Sequence, residues 1–211
     1  RDELVRKLIH LFSLSIPILY YFIPSSISIT ILLCLTIFAF VIDGGRFISK
    51  SFANIFYKAF GFLLRKHELD KEKKNLTGAT YVLLSALVCA LIFPKVIFVT
   101  AFTILIISDT MAALIGRKFG KIKFLRKSLE GTLSFFISAS IVVIFTPKVG
   151  GFPMEYVIGF IAAFVGAIVE NISYGLADDN LTIPLSVGLT MWALYLIIFP
   201  NLDLILLNVP R

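Results

Sequence analysis

Charge is scarce in this chain: Asp, Glu, Lys and Arg make up only 16% of its 211 residues, whereas 58% are hydrophobic and 21 are Phe. With a mean hydropathy of +0.95, a soluble domain of this size has no interior large enough for that apolar surface, so the composition excludes a water-soluble globular protein. Cysteine is equally sparse. Cys34 and Cys89 both fall in apolar runs, which reads as small buried hydrophobes rather than a disulfide or a metal site. Strand-like alternation is missing too: the apolar runs extend for roughly 16 to 20 residues, close to what a helix needs to cross the hydrocarbon core and too long for barrel strands. The nucleotide loops of soluble enzymes are also absent. Three residues separate Gly116 from Gly120, and Lys121 is followed by Ile122, so neither GxxxxGK[ST] nor GxGxxG occurs.

What remains is an all-α fold, a polytopic membrane helical bundle forming one integral-membrane domain over residues 1–211. The runs predict about seven transmembrane helices, near 8–23, 27–42, 76–93, 96–115, 131–146, 153–170 and 181–199. The charged N-terminus and the polar HLFSLS start are unlike a signal peptide and predict a retained first span. Placing the N-terminus in the cytoplasm puts 17 of the 20 Lys and Arg residues on the cytoplasmic side, leaving only Lys95, Lys148 and Arg211 outside. The net charge of +7 is thus one-sided, set by a bilayer, and no nucleic-acid partner is expected. Residues 46–64 predict an interfacial amphipathic helix, with Ile48, Phe52, Ile55, Ala59 and Leu63 on one face and Lys50, Asn54, Lys58 and Arg65 opposite. The RKHELDKEKKN run that completes this region, 46–75, reads as a solvated basic loop in which His67 is too isolated to be a ligand.

In this topology the acids collect at one boundary. Asp43 and Glu170 end the second and sixth spans, Glu130 starts the fifth, Asp178, Asp179 and Asn180 precede the seventh, and His10 lies one turn inside the first. Asp109 lies seven residues before Gly116, roughly 10 Å deeper on a helix. It shares a face with Ala112, Ala113 and Gly116, and a second small-residue stripe runs through Gly159, Ala162, Ala163 and Gly166 to Glu170. The two stripes are expected to pack together, and such faces would serve a homodimer as well as a monomer. Packing accounts for the small residues but not for the acids, which are costly in a membrane and mark a functional site. Beside them, GRKFGKIKFLRK carries six cations in twelve residues, an anion cradle with glycines that let backbone amides approach phosphate. Carboxylates next to a phosphate cradle imply a bound Mg²⁺ bridging the phosphate oxygens.

The stretch 108–131 carries a more specific pattern. Asp109-xx-Ala112-xxx-Gly116-xxx-Gly120-x6-Lys127-Ser-x-Glu130-Gly131 resembles the nucleotide motif of the CTP-dependent lipid kinases, the family of dolichol kinase, phytol kinase and yeast-type diacylglycerol kinase. RKLIH at Arg6–His10 and DDNLTIP at Asp178–Pro184 are similar to that family's opening and closing motifs, and the length resembles the compact phytol kinase-like core of prokaryotes. The resemblance implies phosphoryl transfer from CTP to the hydroxyl of a long-chain membrane lipid alcohol, a polyprenol, phytol, geranylgeraniol or diacylglycerol, and the one-sided charge predicts that the site faces the cytoplasm at the cell membrane. It further implies that Asp109 holds Mg²⁺ with Asp179 or Asp178. Arg117, Lys121, Lys123 and Lys127 would neutralise the triphosphate between Gly116, Gly120 and Gly131. Glu130 would orient Lys127 or touch the metal, and Glu170 or an acid before the last span would accept the hydroxyl proton. Lys7, His10, Asp43, Asp178 and Asn180 are further candidates. Two other readings use the same features: a cytidylyltransferase that joins CMP to a lipid phosphate, and a small transporter whose acids would line a path to both faces.

Overall fold

The computed structural model of the chain describes residues 2–64, 75–173 and 178–211. Nine helices appear in chain order among them: α1 (Asp2–Phe12), α2 (Ser15–Phe22), α3 (Ser25–Ile48), α4 (Lys50–Phe60), α5 (Gly78–Ile92), α6 (Lys95–Phe119), α7 (Leu129–Phe145), α8 (Pro153–Ile172) and α9 (Asp179–Ile198). A short 3₁₀ turn, Gly61–Leu63, follows α4, and a hairpin of two-residue strands, β1 (Lys123–Phe124) and β2 (Lys127–Ser128), joins α6 to α7. Arg65, His67 and the rest of the basic loop to Lys74 lie outside the described residues.

Local chemistry sets the helix ends. Pro24 and Pro94 stand at the N-caps of α3 and α6, and Pro153 opens α8, positions where a missing N–H costs nothing. Ser49, Thr77, Ser128 and Asp178 cap α4, α5, α7 and α9 by accepting a backbone N–H. Two expectations need correction here. The first span is not one helix but breaks at Ser13–Leu14 into α1 and α2, because Pro17 cannot donate to the Ser13 carbonyl four residues back. The amphipathic helix is shorter than 46–64, since residues up to Ile48 continue α3 and α4 occupies Lys50–Phe60.

The seven expected segments all fold as helix, and four helices among the described residues have the length and apolarity to cross a membrane: α3, α6, α8 and α9. Two apolar helices, α5 and α7, are shorter, about 22 and 26 Å at 1.5 Å per residue. The centre of the bundle is α6, whose apolar window is 78% buried against 17% for α3. Val96, Ile97, Phe98, Phe102, Ile104, Leu105 and Ile106 are fully enclosed by α2, α5, α7 and α9. The outer surface is apolar: Ile37, Phe38 and Val41 on α3, Ile137 and Phe145 on α7, Phe164 on α8 and Ile197 on α9 are exposed, as a lipid-facing belt requires. Cys34, expected to be buried, is exposed on that surface, Cys89 is buried, and both are free thiols.

The two small-residue stripes do not face each other. Gly116 meets Gly131 on α7, where a Cβ on either would stand 3.3 Å from the other's Cα. Gly166 instead accommodates Val187 of α9 and Phe135 of α7, and Gly159 faces Val143 of α7. Helix α7 thus lies between the faces that sequence periodicity paired.

The bundle has two unlike ends. At one, Lys95 Nζ donates to the carbonyls of Ile23 (2.8 Å) and Pro210 (2.6 Å), and Ser25 N donates to Arg211 O, tying down the C-terminal tail. Glu155, fully buried at this end, accepts from the N–H groups of Val149, Gly150 and Phe152 and from the Tyr195 hydroxyl. The other end gathers α1, the C-terminal turns of α3, α6 and α8, and the N-terminal turns of α5, α7 and α9.

Candidate active site

Two groups of ionisable side chains meet at this second end. Asp109, 8% exposed on α6, accepts from Lys7 Nζ of α1 at 2.8 Å, and His10 Nε2 stands 3.7 Å from the same oxygen. The second group is centred on Lys127 of β2. Its Nζ lies 2.6 Å from Glu170 Oε1 at the end of α8 and 3.2 Å from Asp179 Oδ2 at the start of α9. Burial alone would lower the lysine's pKa, but the Asp179 and Glu170 carboxylates outweigh it and hold the ammonium above the ordinary lysine value, with a smaller contribution from Asp109. Among the described residues, the remaining carboxylate oxygens, Glu170 Oε2 and Asp179 Oδ1, are buried without a hydrogen-bond partner. Such atoms are rare unless a ligand satisfies them. Among the described residues no three His, Cys, Asp or Glu side chains converge closely enough to hold a metal unaided.

The loop from α6 to α7 is folded back on itself. Glu130 does not reach Lys127; its carboxylate accepts from the backbone N–H groups of Lys121 (2.9 Å) and Ile122 (3.2 Å), and Leu129 N donates to Ile122 O. Ser128 Oγ caps α7 through Gly131 N and fills the corner between Gly116, Gly120 and Gly131, where a Cβ on Gly120 would stand 2.8 Å from it. The three glycines therefore serve first to bring α6, the hairpin and α7 into backbone contact. This packing leaves the side chains of Arg117, Lys121, Lys123 and Arg126 exposed around the hairpin, with Lys127 turned inward.

The other sequence candidates have structural partners. Asp43 is not spent on this group: its oxygens accept from Thr77 N (2.8 Å) and Thr80 Oγ1 (2.7 Å) and pair with Arg46 Nε at 2.9 Å. Arg46 also donates to Asn75 O and lies over the rings of Phe47 and Phe56, binding α3 to α4 and α5. Asp178 caps α9 by accepting from Asn180 N, and Asn180 is buried. Sequence reasoning passed over Asn171. It is fully buried next to Glu170, accepts the backbone N–H of Arg126 and Lys127, and donates to Thr132 Oγ1. The available signal was an amide beside an acid at the end of an otherwise apolar helix.

The arrangement sets carboxylates with free oxygens beneath a rim of exposed cations, which suits a polyanion brought in with a divalent cation. Similar proteins bear on that chemistry. An uncharacterised protein of Rickettsia prowazekii is 30% identical over 185 residues, covering 87% of this chain and 90% of its own. The CTP-dependent diacylglycerol kinase 1 of Schizosaccharomyces pombe is 29% identical over 159 residues, 69% of this chain and 71% of that protein. The phytol kinase of Synechocystis is 36% identical over 92 residues, 40% of this chain and 39% of that protein. No family model matches the chain, and no solved structure does. The two named relatives agree with the resemblance of the 109–131 motif at the level of lipid kinases as a group.

Proposed function

The chain belongs to the family of the Rickettsia prowazekii protein, one with lipid kinases among its more distant named relatives, and from that premise we propose that it transfers the γ-phosphoryl group of CTP to the hydroxyl of a long-chain membrane lipid alcohol. The observation that carries this reading is the Lys127 group: one ammonium between Glu170 and Asp179, each with a buried oxygen that has no partner among the described residues. The excess of Lys and Arg at this end of the topology favours the cytoplasmic side of the cell membrane.

In this reading Arg117, Lys121 and Lys123 attract the triphosphate, and Lys127 moves from carboxylate to phosphate as the nucleotide enters, stabilising charge in the transition state. The donor set fits Mg²⁺, which takes one or two carboxylates and completes its shell with phosphate oxygens and water. Asp179 Oδ1, buried and unpartnered among the described residues, would be one such donor and Asp109 the second. When bound, the ion would neutralise phosphate charge. The acceptor hydroxyl enters sideways from the bilayer and attacks the γ-phosphorus, the bond from γ-phosphorus to the β–γ bridging oxygen breaks, and CDP leaves. Glu170 Oε2, likewise unpartnered, accepts the hydroxyl proton, a contribution on the order of 10²- to 10⁴-fold.

Purified protein supplied with CTP or ATP and a panel of lipid alcohols tests the reading. A lipid monophosphate and CDP formed from CTP support it. CDP-lipid and pyrophosphate would instead indicate the cytidylyltransferase, and ion flux without nucleotide the transporter.

A further inference from the structure

The hairpin that carries Lys127 is poorly built to stand alone. Its strands are two residues each, far below the length at which a two-stranded ribbon is independently stable. At its turn Leu125 has φ +51°, a conformation that glycine adopts freely and leucine does not. Something outside the hairpin must hold it.

We propose that Asn171 is the positioning residue of the site, fixing the 126–127 backbone on α8 so that the Lys127 side chain meets Glu170 and Asp179; this rests on the kinase reading above only for its effect on turnover. One oxygen, Asn171 Oδ1, accepts Arg126 N at 2.9 Å and Lys127 N at 3.1 Å. The other end of the amide donates to Thr132 Oγ1 at 2.6 Å, and that hydroxyl donates to Ser128 O at 3.2 Å. The amide is thereby locked in one orientation, with the acceptor toward the loop and the donor toward α7. Asn171 and Glu170 are consecutive on α8. The same helical turn therefore anchors the lysine's backbone and receives its ammonium, and a flexible four-carbon stem needs a fixed root to deliver its charge to one place. Among the described residues the hydrogen bonds of Asn171's side chain all leave its own helix, so its place in the fold is to join α8, the hairpin and α7.

The test compares wild type with Asn171→Ala in detergent, normalised to folded protein by thermal unfolding. Two readouts are taken: the acetylation rate of Lys127 relative to exposed Lys118 and Lys121, by acetic anhydride and peptide mass spectrometry, and kcat/KM for CTP. Asn171→Ala is expected to raise Lys127 acetylation toward that of its neighbours and to lower kcat/KM on the order of 10²-fold, the usual cost of a small misplacement. If Asn171→Ala does not fold, Thr132→Val removes only the hydroxyl that orients the amide and is expected to move both readouts the same way, less far. Unchanged acetylation and unchanged kcat/KM per folded molecule would overturn the proposal. A wild type that transfers no phosphate from CTP would defeat the kinase reading instead, while acetylation would still decide whether Asn171 positions Lys127.

Discussion

The Lys127 ammonium and the Glu170 carboxylate meet at 2.6 Å although 43 positions separate them in the chain. With Asp179 at 3.2 Å from the same ammonium, this contact ties the hairpin, α8 and α9 into one site. Removing the cation leaves two buried carboxylates uncompensated. Lys127→Met is therefore expected to lose activity and to destabilise the protein toward the lower end of the roughly 3–5 kcal/mol seen when a buried pair is broken. Adding Glu170→Gln should restore part of the stability and none of the activity. Thermal midpoints of the two single variants and the double variant check this coupling.

The same lysine predicts a pH dependence. Its pKa is raised in the folded state, so its contribution to stability is complete below the unfolded value and is lost only as pH rises through the higher folded value. The difference in midpoint between wild type and Lys127→Met should thus stay constant from about pH 7 to 9 and shrink only above the ordinary lysine value near 10.4. A difference that closes within the lower range would contradict the proposed ion-pair geometry.

Asp109→Asn keeps the volume of the side chain and removes its charge. Phosphoryl transfer should fall by at least about 10²-fold, as when a preorganised electrostatic group is lost, while the protein still inserts and folds. Full activity in Asp109→Asn would rule out its metal-holding role.

Gly131→Ala places a methyl group 3.2 Å from Ala112 O and 3.3 Å from Gly116 Cα. The contact is backbone on backbone and has little room to give, so a cost of roughly 1–3 kcal/mol is expected. An unchanged midpoint would contradict the close backbone approach of α6 and α7 at Gly116 and Gly131.

Glu155→Gln probes the opposite end of the bundle. It weakens a fully buried carboxylate serving three backbone N–H groups and Tyr195, and a loss of about 1–3 kcal/mol is expected. The KM for CTP should not move, since this end carries none of the proposed site. A raised KM would argue that the two ends are coupled.

Much of this was legible in the sequence because hydrophobic runs, prolines and caps act locally. The apolar segments folded as helices, and Asp109, Lys127, Glu170 and Asp179 came to one end of the bundle, as the alternation of spans requires. What periodicity did not reveal was which faces meet. Gly116 and Gly166 both lie in small-residue stripes, yet each found α7 or α9, because the partner of a small face is set by tertiary order rather than by its own spacing. The hairpin was hidden for a related reason: Leu125 occupies the position where a turn signal would place glycine. The next residue, Arg126, donates its backbone N–H to Asn171, 45 positions away, a contact that no local signal announces. The first span broke where Pro17 interrupts its hydrogen bonding, a local signal that the apolar character of the segment as a whole obscured.

The most direct measurement follows the label in CTP. Purified protein in lipid alcohol-containing vesicles is given CTP labelled at the γ-phosphate, and in a parallel reaction CTP labelled at the α-phosphate. The account predicts that the γ label appears in a lipid monophosphate and that the α label stays in CDP. Transfer of the α label to lipid, or no transfer of either label, would contradict it.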